Sequence, residues 1–72
     1  MAKSFGGTNS FLAERLRQAR LQAGYSQQNI ADALNVNRAT YTYYETGHTT
    51  PGIADLYLLS QLYGRAMEDF LQ

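Results

Sequence analysis

Residues 35–47 read NVNRATYTYYETG and place three tyrosines, Tyr41, Tyr43 and Tyr44, within four positions, beside Arg38 and Glu45. None of these is a nucleophile paired with a base. The single histidine, His48, has no evident nucleophile or orienting acid around it, so acid–base catalysis is a poor reading and the residue reads as part of a loop. The chemistry these residue types can perform is recognition. At about 100° per residue, Tyr41, Tyr44 and Glu45 share one helical face, and Arg38, Ala39, Thr42 and Tyr43 share the other. Tyr41 and Tyr44 therefore belong to a core, where each hydroxyl needs a partner. Tyr43 faces outward beside an arginine, a small alanine and a threonine, a surface suited to reading a polar target.

That helix must be held by others, and the chain is just long enough to supply them. Its 72 residues fit one domain. With no cysteine there is no disulfide or thiolate metal site. One histidine and no acidic cluster leave no metal site, and no cofactor is expected. No apolar run reaches the ~20 residues of a membrane span, and MAKSFGGTNS lacks the apolar core of a secretory signal. A cytoplasmic protein with no membrane partner is the expectation. Net charge is zero, yet it is unevenly distributed. Residues 1–38 carry Lys3, Arg15, Arg17, Arg20 and Arg38 against Glu14 and Asp32, a balance of +3. Residues 39–72 carry Arg65 against Glu45, Asp55, Glu68 and Asp69, a balance of −3. Such asymmetry permits one basic face on a neutral molecule.

The spacing predicts an all-α chain of five short helices after a flexible N-terminal arm, residues 1–10. The first helix is expected after Asn9 or Ser10, burying Leu12, Leu16, Ala19 and Ala23, and ending at Gly24. Ser26 caps a second helix, Gln27 to Leu34, with Ile30, Ala31 and Leu34 inward and Asn35 closing it. Asn37 caps a third, about Arg38 to Thr46, which Gly47 ends. Pro51 precedes a fourth, about Ile53 to Tyr63, with Ile53, Leu56, Leu59 and Tyr63 inward and Gly64 at its end. A last turn or two, Met67 to Leu71, packs through Met67, Phe70 and Leu71. The second and third helices are separated by a very tight turn. Ala31 falls where they must approach closely, and Tyr41 and Tyr44 follow ten and thirteen residues later. That spacing is the helix-turn-helix pattern.

These residues resemble the Cro and phage-repressor (Xre-type) helix-turn-helix family. The resemblance lies in ERLRQARLQAGYSQQNIADALNVNRATYTYYETG, then Pro51 and LYLLSQLYG, and covers residues 11–71. Its particular marks are Arg20 four before Gly24, Ser26-Gln27 opening the second helix, Ala31, the Tyr44-Glu45…Gly47 ending, and Leu56…Leu59…Tyr63-Gly64. It implies a five-helix, lambda-repressor-like domain over residues 11–72 that lays its third helix in the major groove of double-stranded DNA. Arg38, Ala39, Thr42 and Tyr43 are then the expected base contacts: Arg38 to guanine O6 and N7, Ala39 and Thr42 to a thymine methyl, with Thr42 also able to hydrogen-bond. Gln27, Asn37, Thr40, His48 and Thr49 are the expected phosphate contacts, and Arg17 is a further candidate on an otherwise solvated face shared with Arg15. Arg20 and Glu45 are expected to form a partly buried ion pair that aims the third helix.

The chain also departs from the family pattern. Tyr41 stands where a smaller aliphatic residue is usual, and Asn35 stands for a glycine. Asn29 replaces the glutamate that would complete a capping box with Ser26. Arg65 replaces a small apolar residue, so the turn into the last helix is expected to differ. His48 to Thr50 lack basic neighbours, which weakens the expected grip on phosphate. The fourth helix is apolar on too many sides for one core contact, and Tyr57, Leu58 and Leu62 are the expected homodimer face. The functional expectation is a DNA-binding transcriptional regulator, a repressor acting as a dimer on a palindrome, and not an enzyme. The alternative is an antitoxin-like module whose main partner is a protein.

Overall fold

A computed structural model of the chain describes the backbone of residues 2–71 and the side chains of residues 11–71. Among the described residues the secondary structure is wholly helical: α1 (Ala2–Ala23), α2 (Gln27–Leu34), α3 (Arg38–Thr46), α4 (Ile53–Tyr63) and α5 (Glu68–Leu71). α1 is the platform, packing against α3, α4 and α5, while α2 packs on α3.

The helix ends follow local chemistry. Ser26 Oγ accepts from Asn29 N at 3.0 Å, and Asn29 Oδ1 accepts from Ser26 N at 3.1 Å. The capping box is therefore complete: the shorter amide does what glutamate was expected to be needed for, because its carbonyl reaches the same backbone N–H. Asn35 closes α2 at φ 60°, the one non-glycine residue at positive φ among those described. Its N–H and that of Val36 return to α2 carbonyls, which lets α3 begin after only one further residue. Asn37 caps α3 through Thr40 N at 3.0 Å. Gly47, at φ 84°, turns the chain out of α3 in a conformation that would strain a side chain.

The core is one cluster: Leu12, Leu16 and Ala19 from α1, Ile30, Ala31 and Leu34 from α2, Tyr41 and Tyr44 from α3, Leu56, Leu59 and Tyr63 from α4, and Phe70 from α5. Ala31 is fully buried, as close approach of α2 to its neighbours requires.

Several expectations need correction. α1 is helical from Ala2, so it does not start after Asn9 or Ser10; the Gly6-Gly7 pair costs helix stability but does not forbid helix. The flexibility expected of residues 1–10 concerns positions whose side chains lie outside the described residues. Ala23 is exposed, and Arg20 occupies the last buried turn of α1 instead. Ile53 is 73% exposed rather than inward, and Ser60 is the fourth buried residue of α4. Leu71 is exposed, and α5 starts at Glu68, with Met67 half-buried before it. Arg15 is more than a solvated charge: it donates to the Asp69 carbonyl of α5 at 3.2 Å and lies 4.5 Å over the Phe11 ring.

Candidate nucleic-acid interface

The outward face of α3 is built on a buried polar network. Arg20, from the end of α1, meets Glu45 of α3 with both carboxylate oxygens engaged: Nε to Oε2 at 2.7 Å and Nη2 to Oε1 at 3.1 Å. The remaining guanidinium nitrogen donates to the Tyr25 carbonyl at 2.9 Å. Tyr41 Oη donates to Glu45 Oε2 at 2.5 Å, and Gln27 Nε2 donates to Oε1 at 3.0 Å. Four donors thus occupy two oxygens, the full acceptor capacity of a carboxylate. Among the described residues no buried side-chain nitrogen or oxygen lacks a partner.

The electrostatics follow from this count. Burial alone pushes the Glu45 carboxyl up, but the hydrogen bonds from Arg20, Tyr41 and Gln27 outweigh it and hold the group below the usual carboxylate range. The hydrogen bond to Glu45 raises Arg20. Burial drives Tyr41 far above the ordinary phenol value and pushes Tyr63 up to about 12. Tyr41 and Tyr63 hydroxyls are 2.6 Å apart. Since Tyr41 spends its proton on Glu45, Tyr63 is the donor to Tyr41. The tyrosine that departs from the family pattern therefore makes room for itself by tying α3 to α4. Tyr44 ties the same two helices elsewhere, its hydroxyl donating to Asp55 at 3.2 Å.

On the other face of α3, Arg38, Ala39 and Tyr43 are exposed and Thr42 is half-buried. The four share one side of one helix. Tyr43, 46% exposed, stacks on His48, with ring centroids 5.1 Å apart and planes 25° from parallel. His48 Nδ1 lies 3.1 Å from Thr46 Oγ1. His48 thus supports an outward ring rather than sitting idle in the loop.

The residues expected at phosphate are distributed differently. Asn37, His48 and Thr49 are exposed and flank α3. Asn37 Oδ1 already accepts from Thr40 N and from Thr40 Oγ1, at 3.0 and 2.9 Å. Gln27 is half-buried, and its amide bridges Glu45 and Thr42, accepting from Thr42 Oγ1 at 2.9 Å. The one signal for this bridge in the sequence is that Thr42 and Glu45 share a helical spacing of three. On α4, Tyr57 and Leu58 are exposed, but Leu62 is half-buried against the core. The free face of α4 is therefore Ile53, Tyr57 and Leu58. Among the described residues no group of acidic and histidine side chains suits a metal ion, and no helix is long and apolar enough to cross a membrane.

The sequence model of the helix-turn-helix family matches residues 16–70, most of the chain. The chain belongs to the helix-turn-helix family. Among relatives of this helix-turn-helix chain in Bacillus subtilis, the SPbeta prophage-derived uncharacterized HTH-type transcriptional regulator YonR is 43% identical over 58 residues, 81% of this chain and 53% of its own length. The HTH-type transcriptional regulator ImmR is 38% identical over 52 residues, 72% of this chain and 41% of its own. The HTH-type transcriptional regulator AnsR is 31% identical over 58 residues, 81% of this chain and 50% of its own. The chain thus spans about half the length of these relatives. No solved structure is a significant match.

Proposed function

We propose that this helix-turn-helix protein is a sequence-specific double-stranded DNA-binding transcriptional regulator of the cytoplasm, with α3 as its reading element in the major groove. The observation that carries the proposal is the outer face of α3. Arg38, Ala39 and Tyr43 stand exposed with Thr42 beside them, on a helix anchored from behind by a saturated ion pair. In this reading Arg38 takes guanine O6 and N7, Ala39 and Thr42 meet thymine methyl groups, and Tyr43 reaches a base edge or phosphate. Asn37, Thr40, His48 and Thr49 hold register on the backbone. Gln27 contributes from behind α3 through Thr42. Transcriptional regulators among the relatives support the same reading.

The protein acts as a repressor by occupying a palindromic operator as a homodimer. Ile53, Tyr57 and Leu58 form an uncharged apolar face on α4; pairing there sets two reading helices about 34 Å apart, one turn of DNA. The test is selection of binding sites from a random duplex pool, followed by affinity across a salt series. An enriched palindrome whose affinity falls steeply with salt is the expected result. Failure to enrich any sequence sinks the proposal.

A second reading has its own support. The same apolar face on α4, on a chain of zero net charge, suits an antitoxin-like module whose chief partner is a protein. Weak, salt-insensitive DNA binding together with a stable partner recovered in pull-down favours it.

A further inference from the structure

The buried ion pair dictates which way hydrogen bonds run on the reading surface. Arginine only donates, and both oxygens of Glu45 accept from Arg20, so Glu45 is an ionised acceptor. The Gln27 group facing Glu45 must then be its NH₂, 3.0 Å away. That orientation turns the Gln27 carbonyl toward Thr42, whose hydroxyl sits 2.9 Å away and must donate. The order is forced from the core outward: Thr42 gives its only proton to Gln27. With Oγ1 turned to α2, the branched Cβ directs the Thr42 methyl elsewhere, away from Gln27.

We propose that Gln27 is a positioning residue that makes Thr42 present a methyl group and an acceptor, but no donor, so that Thr42 selects an A·T pair and rejects guanine. An A·T pair offers both complements in the major groove: the thymine 5-methyl and the adenine N6 amino group. Guanine offers only acceptors, O6 and N7, and meets a hydroxyl whose proton is already committed; its cytosine partner offers an N4 amino donor but no methyl group, so a G·C pair satisfies at most one of the two. This goes beyond the DNA-binding reading above and rests on it. It also replaces a phosphate role for Gln27, in which loss of the side chain weakens all sequences alike, with a role in specificity.

The experiment uses the full chain and the duplex that selection enriches. Selection is repeated with Thr42→Ser to find the base pair whose preference residue 42 controls. Deoxyuridine is then placed for thymidine at that pair, which removes only the methyl group. The wild type is expected to bind the deoxyuridine duplex about fourfold more weakly, the value of one buried methyl, and Thr42→Ser to bind both duplexes alike. Gln27→Met, which keeps the length but neither hydrogen bond, frees the Thr42 proton. Its ratio of A·T to G·C affinity at that pair is expected to fall at least fivefold, a ratio that a general loss of stability does not move. Circular dichroism confirms that each variant is folded. Equal wild-type affinity for thymidine and deoxyuridine, or an unchanged ratio in Gln27→Met, overturns the proposal while leaving DNA binding intact. If no duplex is enriched at all, the DNA-binding reading fails and this one with it.

Discussion

Arg20 and Glu45 face each other as a fork, two hydrogen bonds of 2.7 and 3.1 Å between the last turn of α1 and the inner face of α3. Their side chains are 10% and 2% exposed, so removing one strands the other away from water. Arg20→Ala and Glu45→Ala should each cost about 3–5 kcal/mol. Urea denaturation measures this. A loss no greater than that of an exposed pair, below ~1 kcal/mol, would show that water reaches the site.

The network also predicts the shape of the pH–stability curve. Glu45 is held below the ordinary carboxylate range, so on acidification the unfolded chain takes up its proton first. The contribution is complete above ~pH 4.3, the free glutamate value, and is lost as pH falls through the lower folded value. Tyr63, raised by burial to about 12, acts in the opposite sense. Its contribution is complete below ~pH 10 and disappears as pH rises toward its folded value. Denaturation midpoints between pH 2 and 11 in wild type, Glu45→Gln and Tyr63→Phe test both limbs. Glu45→Gln should flatten the acid limb, and Tyr63→Phe the alkaline one.

Arg38 stands exposed at the start of α3, directly after the Asn37 cap. Arg38→Ala should lose roughly 1–3 kcal/mol of DNA affinity and relax preference at one base position. Repeating the site selection with the variant measures both. An unaltered base preference would reassign Arg38 to the phosphate backbone.

The stack of Tyr43 on His48 holds an outward ring in one orientation before DNA arrives. His48→Ala should weaken operator binding by about 0.5–1.5 kcal/mol, the worth of an aromatic pair. The salt dependence should stay nearly the same. Titration by fluorescence anisotropy at several salt concentrations separates these terms. A changed salt slope with unchanged stability would show that the loss comes from the phosphate contact of His48 and not from its stack on Tyr43.

The apolar face of α4 is the proposed dimer contact. Tyr57→Asp and Leu58→Asp should abolish self-association and leave folding intact, because both side chains are exposed in one copy. Light scattering across micromolar concentrations, with and without DNA, reads the outcome. A wild type that stays monomeric throughout removes the dimer from the proposal.

The sequence by itself determined where α2, α3 and α4 begin and end, because capping is local. Ser26, Asn35, Asn37, Gly47 and Gly64 sit beside the backbone groups they satisfy, and α2, α3 and α4 end where those residues said they would. It also determined that Tyr41 and Tyr44 turn inward, since a clear helical period separates them from Arg38 and Tyr43. α4 was different. Apolar residues on nearly every side leave its period without a phase, and only packing against α1 and the other helices decided that Leu62 turns toward the core and Ile53 to solvent. The polar network likewise needed the tertiary structure. Gln27 and Thr42 lie fifteen residues apart and Tyr41 and Tyr63 twenty-two, distances over which helical spacing carries no information. Which amide end of Gln27 meets Thr42 is decided by a charge from a third helix, Arg20, acting through Glu45. A hydrogen bond's direction depends on every partner in the chain, and those partners meet only when the helices pack.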